Sequence, residues 1–191
     1  MGTEVKTMMV EWELARYDWS DLTDTVDPPD RLPQAIRALT RADSERAAEH
    51  AVERVRRLMG QCGPRGRAAE AVTPCLVSLL WTASAPAVDA AIHLLADINS
   101  GRLCETGTGL GSADLDRCRD ELVLGFDAYV GCLASRSGRL VLLSCVKLVA
   151  ACGRHDARLR ERAQYLLTRT ADRAVLLGDR DDILAESAKL S

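Results

Sequence analysis

Aromatic side chains are scarce in this chain: three Trp, three Tyr and one Phe make up 4% of 191 residues. Ala, Leu and Val fill the apolar positions instead, and because Ala and Leu are strong helix formers the composition points to an all-α protein. Lysine occurs only at positions 6, 147 and 189, and the formal net charge is −3. A protein whose main task is non-specific nucleic-acid binding needs a dominant basic surface, so that class is not expected. No apolar run approaches the roughly 20 residues of a membrane helix, and the N-terminus lacks a cationic segment followed by an apolar one, which predicts a cytoplasmic protein. The seven cysteines include no CxxC pair and no Cys/His spacing of a metal knuckle. Cys104, Cys118, Cys132, Cys145 and Cys152 fall mostly on apolar helix stripes, where free thiols act as small hydrophobes.

The length suits one compact unit with a real core. Charge is unevenly spread along it. Asp18, Asp21, Asp24, Asp27 and Asp30 crowd the beginning, whereas Arg154, Arg158, Arg160, Arg162, Arg169 and Arg173 crowd the end, so one end is expected to be acidic and the other basic.

Apolar periodicity organises the chain into helices. Ala48, Ala51, Val52, Val55, Leu58 and Met59 make one face of a helix over 43–59, with Asp43 or Ser44 as its cap and Gly60 as its stop. Thr73-Pro74 predicts a helix that starts at Pro74, since proline suits a first helical position. Ala85-Pro86 repeats the punctuation before a helix over 86–98. Leu115, Cys118, Leu122, Phe126, Tyr129, Val130 and Leu133 predict one long helix over 113–134, with Asp116, Asp120 and Asp127 on its other side. The helix over 139–152 is apolar nearly all round and is expected to be the sandwiched central element. A stripe from Leu159 to Leu177 predicts a helix over 156–177, and a short helix near 181–190 closes the chain.

Three strings beginning at Leu39, Leu80 and Leu133 each end one helix, turn, and start another. Apolar residues recur 8, 12 and 16 positions after each anchor: Ala47, Val88 and Val141, then Ala51, Ile92 and Cys145, then Val55, Ala96 and Val149. The anchors are 41 and 53 residues apart, and the excess of 12 matches the Gly-rich stretch 101–112, an inserted loop. A two-helix period of about 40 residues is the HEAT and armadillo size class.

At Asp18-Trp19-Ser20-Asp21-Leu22, at Leu32 to Leu39 and at Ala71-Val72-Thr73-Pro74 before Leu79-Leu80, the sequence resembles HEAT-repeat proteins of the high-GC actinobacterial type. The resemblance spans roughly residues 18–170 and departs from the family at 101–112. It implies one domain over 1–191, a right-handed α-α superhelix of three to four hairpins with residues 1–29 as an N-terminal cap. Its second helices would line a concave face that holds another macromolecule.

Candidate chemistry is thin. Asp89, His93 and Asp97 share a helix face, but two carboxylates and one imidazole leave a metal under-coordinated, and a solvated face with an ion pair is the expectation. Thr106 to Gly111 lacks the GxxxxGK[ST] pattern of a phosphate loop and reads as a connector. With no GxSxG elbow or Cys–His dyad, no enzyme, cofactor or metal is expected. The leading expectation is a protein-binding scaffold, an immunity protein that neutralises a cognate toxin by occlusion, as a monomer or small oligomer. The partner-binding residues expected are Asp116, Asp120 and Asp127 with Trp81 as apolar anchor, and Trp19 in the aromatic N-terminus of Trp12, Tyr17 and Trp19. The alternatives are a HEAT-like DNA glycosylase using the Arg154–Arg173 segment and Trp81, or a general assembly adaptor.

Overall fold

The computed structural model describes residues 2–22, 31–61, 65–102, 112–135, 138–174 and 179–190. These residues are helical, with no strand among them: α1 (Gly2–Ala15), a 3-10 turn (Trp19–Leu22), α2 (Arg31–Arg41), α3 (Glu45–Gln61), α4 (Arg65–Leu79), α5 (Ala85–Asn99), α6 (Ser112–Leu124), α7 (Phe126–Ser135), α8 (Arg139–His155), a second 3-10 turn (Ala157–Leu159), α9 (Arg160–Ala174) and α10 (Arg180–Ala188). The all-α class follows from the composition as expected. Most of the inserted loop at 101–112, Cys104 and Asp24, Asp27 and Asp30 lie outside the described residues.

α5 shows how the local sequence makes a helix here. Ser84 holds extended backbone and accepts the Ala87 N–H on its hydroxyl, Pro86 occupies the first turn, and Ser100 closes the far end. Its inward residues Val88, Ala91, Ile92, Leu94, Leu95 and Ile98 are all buried. α3 packs on α5 and α5 on α8, while α1 packs on α4 and α4 on α6. α8 touches α5, α6, α7, α9 and α10, which makes it the centre of the molecule, as its apolar sequence requires. Leu140 at its start nonetheless stands exposed.

Two contacts fix the relation of α3 to α5. The Ser84 hydroxyl donates to the Ala42 carbonyl, joining the turn before α5 to the turn before α3. Near the other ends of the helices, Arg56 Nη2 meets Asp97 Oδ2 at 2.6 Å. The two helices therefore lie side by side and run in the same direction. Arg56 and Asp97 stand 17 residues beyond Leu39 and Leu80 respectively.

Three expected boundaries differ. Pro74 does not start a helix but sits inside α4. Proline costs about 3 kcal/mol in a helix interior by removing a donor and crowding the preceding turn. Every residue from Ala71 to Leu79 is buried, and that burial offsets the penalty. The hydroxyl of Thr73 donates to the Ala69 carbonyl at 2.7 Å, so the turn ahead of the proline is tied by a side chain.

The single helix expected over 113–134 is two helices, broken at Gly125. There the chain tightens, the Gly125 N–H reaching the Leu122 carbonyl three residues back. A side chain at 125 would meet the Tyr129 hydroxyl and, at 2.6 Å, the ring carbon that bears it. The fully buried Tyr129 ring thus takes the room that a Cβ would need. The helix expected from 156 begins instead with Asp156, whose carboxylate accepts the Arg158 N–H and caps the 3-10 turn. α9 starts at Arg160, and residues 175–178 are outside the described set.

Cys75, Cys118, Cys145 and Cys152 are buried and Cys132 is half-buried. Burial pushes the Cys118 thiol up to about 11 and that of Cys152 to about 12, which keeps both protonated at neutral pH. No helix among the described residues is long and apolar enough to cross a membrane.

Candidate functional site

Residues four apart share a helix face, and Asp116, Asp120 and Leu124 follow that spacing along α6. Asp127 comes three residues later, at the start of α7. All four are between 60% and 74% exposed, so they form one ridge with a leucine among three carboxylates. The inward side of the same helix carries Cys118 and Leu122, both buried. Between the two faces lies Glu121, whose carboxyl is raised by burial although Arg16 of the α1 end approaches it at 3.6 Å.

Each acid of the ridge has a basic neighbour of this chain. Asp116 accepts from Arg119 at 3.0 Å, Asp120 lies 2.7 Å from His155 Nε2 at the end of α8, and Asp127 lies 2.8 Å from Arg162 of α9. The Arg162 guanidinium also stacks over the Phe126 ring, 5.1 Å from its centroid. Exposed pairs of this kind contribute about 0–1 kcal/mol each, so an arriving cation can exchange with them at little cost.

The other expected site residues lie elsewhere. Trp81 stands half-exposed in the turn between α4 and α5, and no hydrogen bond, ion pair or ring contact among the described residues joins it to the ridge. Trp19 is buried: its indole N–H donates to the Leu14 carbonyl at 2.7 Å and its ring meets Tyr17 edge-on at 6.1 Å. It therefore packs the N-terminal segment. On α1 it is Trp12 that faces outward.

Asp89, His93 and Asp97 lie on the half-buried face of α5 between its neighbours. Asp97 is held by Arg56 of α3, and His93 Nδ1 is 2.9 Å from the Ser144 hydroxyl of α8. Desolvation lowers the His93 pKa below its usual value, against the opposing pull of Asp89 and Asp97. The line stitches three helices together, which is a structural use of these polar groups. Among the described residues, no three His, Cys, Asp or Glu side chains are grouped as metal ligands.

The arginine-rich end is laced with acids. Arg154 pairs with Glu186, Arg158 with Asp156 and Arg162 with Asp127. Arg158 holds the Asp156 carboxyl below the usual carboxylate range. These pairs dilute the positive field that a phosphate backbone would require.

Sequence reasoning missed Leu124. Its four-residue spacing from Asp120 within α6 places it on the same outward face, a signal that the sequence carries.

No known protein family, curated protein or solved structure matches this chain.

Proposed function

We propose that this chain is a protein-binding scaffold of stacked, HEAT-like helical hairpins, and that it serves as an immunity protein that occludes a toxin domain with a basic surface. The stacking reading rests on the parallel α3 and α5, whose preceding turns are joined by the Ser84–Ala42 bond. In repeat architectures, equivalent helices of successive hairpins run the same way.

The observation that carries the binding reading is the ridge of Asp116, Asp120, Leu124 and Asp127. Interfaces are anchored by a few apolar groups within a polar rim, and complementary charge speeds encounter and selects the partner. Leu124 supplies an anchor and the aspartates a rim suited to lysines and arginines. Immunity function is the step taken from fold-level analogy, since occlusion requires only a complementary surface.

The test is a pull-down with the tagged full chain from cells carrying its native genomic neighbourhood, alongside an Asp120→Lys, Asp127→Lys variant. The reading expects one stoichiometric basic partner with a toxin-like domain, lost from the double variant. Capture that survives charge reversal would remove the ridge from the interface. Recovery of nucleic acid in place of protein would move the weight to a DNA-binding HEAT-like enzyme.

A further inference from the structure

Asp179 is the residue just before α10, and its side chain is completely buried. Its carboxylate is gripped by Arg139 at the first position of α8, with Nε at 2.8 and 3.1 Å and Nη2 at 2.6 Å. Arg139 itself is mostly exposed. Among the described residues, the cation paired with this buried carboxylate thus sits on a different helix and reaches it from the solvent side.

Beyond this pair, α10 packs chiefly along α9 and less on α8. The helix has nine residues, fewer than the roughly 12–15 that an isolated helix needs to persist in water, so its helicity depends on docking. Ile183 is its one fully buried large apolar side chain, and Leu190 follows just beyond its end. Leu190 seats at Gly153 of α8, where the absent side chain also lets Ala163 of α9 come close. Further along, the packing is incomplete. A cleft of about 380 Å³ remains between α8 and α10, bounded by Leu143 and Val146 on one side and Ala185 on the other. Its rim ties are the exposed pairs of Glu186 with Arg154 and Lys189.

We propose that α10 is a detachable latch, pinned to α8 by the Arg139–Asp179 pair, that undocks and unfolds as a unit while the helices from α1 to α9 stay folded. Its release bares the apolar strip of Leu143 and Val146 on α8 and the site at Gly153 and Ala163. Two physical facts make the pin decisive. A buried carboxylate that loses its partner is strongly disfavoured, and a short helix with few buried apolar groups opens at lower cost than the core beside it.

Native-state hydrogen exchange on the full chain, read by mass spectrometry at low denaturant, tests this. In the unmodified protein the amides of Ile183–Ala188 should exchange at least about tenfold faster than those in the middle of α8, by an opening that steepens with denaturant but less than that of α8. Arg139→Ala should speed α10 exchange by a further factor of about ten or more and leave α3 and α5 unchanged. Equal protection of α10 and α8 in the unmodified protein would overturn the latch without any variant. A variant in which every helix exchanges faster together would overturn the pin.

Discussion

The row in which α3 packs on α5 and α5 on α8, and the ridge on α6 and α7, use the same residue types to opposite ends. Leu95 lies in the row with no exposure, pressed between neighbouring helices, whereas Leu124 stands two-thirds exposed on the ridge. The carboxylates differ in the same way. Asp97 in the row is half-buried and ties α5 to α3, while Asp120 on the ridge is mostly exposed and its bond to His155 is a surface pair. A residue's role here is set by what its helix face meets, and the ridge carries groups whose removal the fold can tolerate.

That contrast can be broken by substitution, beginning inside the row. Leu95→Ala removes a fully buried side chain between α5 and its neighbours and should cost about 2–5 kcal/mol in urea unfolding monitored by circular dichroism. A loss below 1 kcal/mol would mean that α5 is not a core element. Gly125→Ala, at the break between α6 and α7, forces a methyl against the Tyr129 ring and should cost about 1–3 kcal/mol in the same assay. Tyr129→Phe is the companion control. Among the described residues, none partners the buried Tyr129 hydroxyl in a hydrogen bond, so removing it should leave stability unchanged or raise it slightly. On the ridge, Leu124→Ala should stay within about 0.5 kcal/mol of the unmodified protein, because no buried contact is lost. A large loss there would show that Leu124 is covered in solution, and would erase the distinction between the two regions.

Much of the row was legible beforehand. The stripe of Ala48, Val52 and Val55 in α3, the Ser84 and Pro86 start of α5, and the nearly uniform apolar surface of α8 are local signals with a single helical interpretation. The ridge was only partly legible. Asp116, Asp120 and Asp127 could be placed on an outward side by elimination, since Cys118 and Leu122 claimed the other. The partners His155 and Arg162 could not, because they are brought to the ridge by helices 30 or more residues away in the chain. Trp19 is buried, its indole bonded to the Leu14 carbonyl, although a tryptophan beside aspartates reads the same whether its ring packs inward or outward.

Sequence alone determined the helical class, most of the helices and the inward stripe of each, because these depend on propensity and on a period of 3.6 residues that short-range order enforces. Tertiary structure decided the rest: that Pro74 stays inside α4, that Gly125 divides α6 from α7, that Arg139 reaches Asp179, and which acids end on a common ridge. Those outcomes turn on burial and on contacts between residues far apart in the chain, energies that exceed local preference and exist only once the helices have packed.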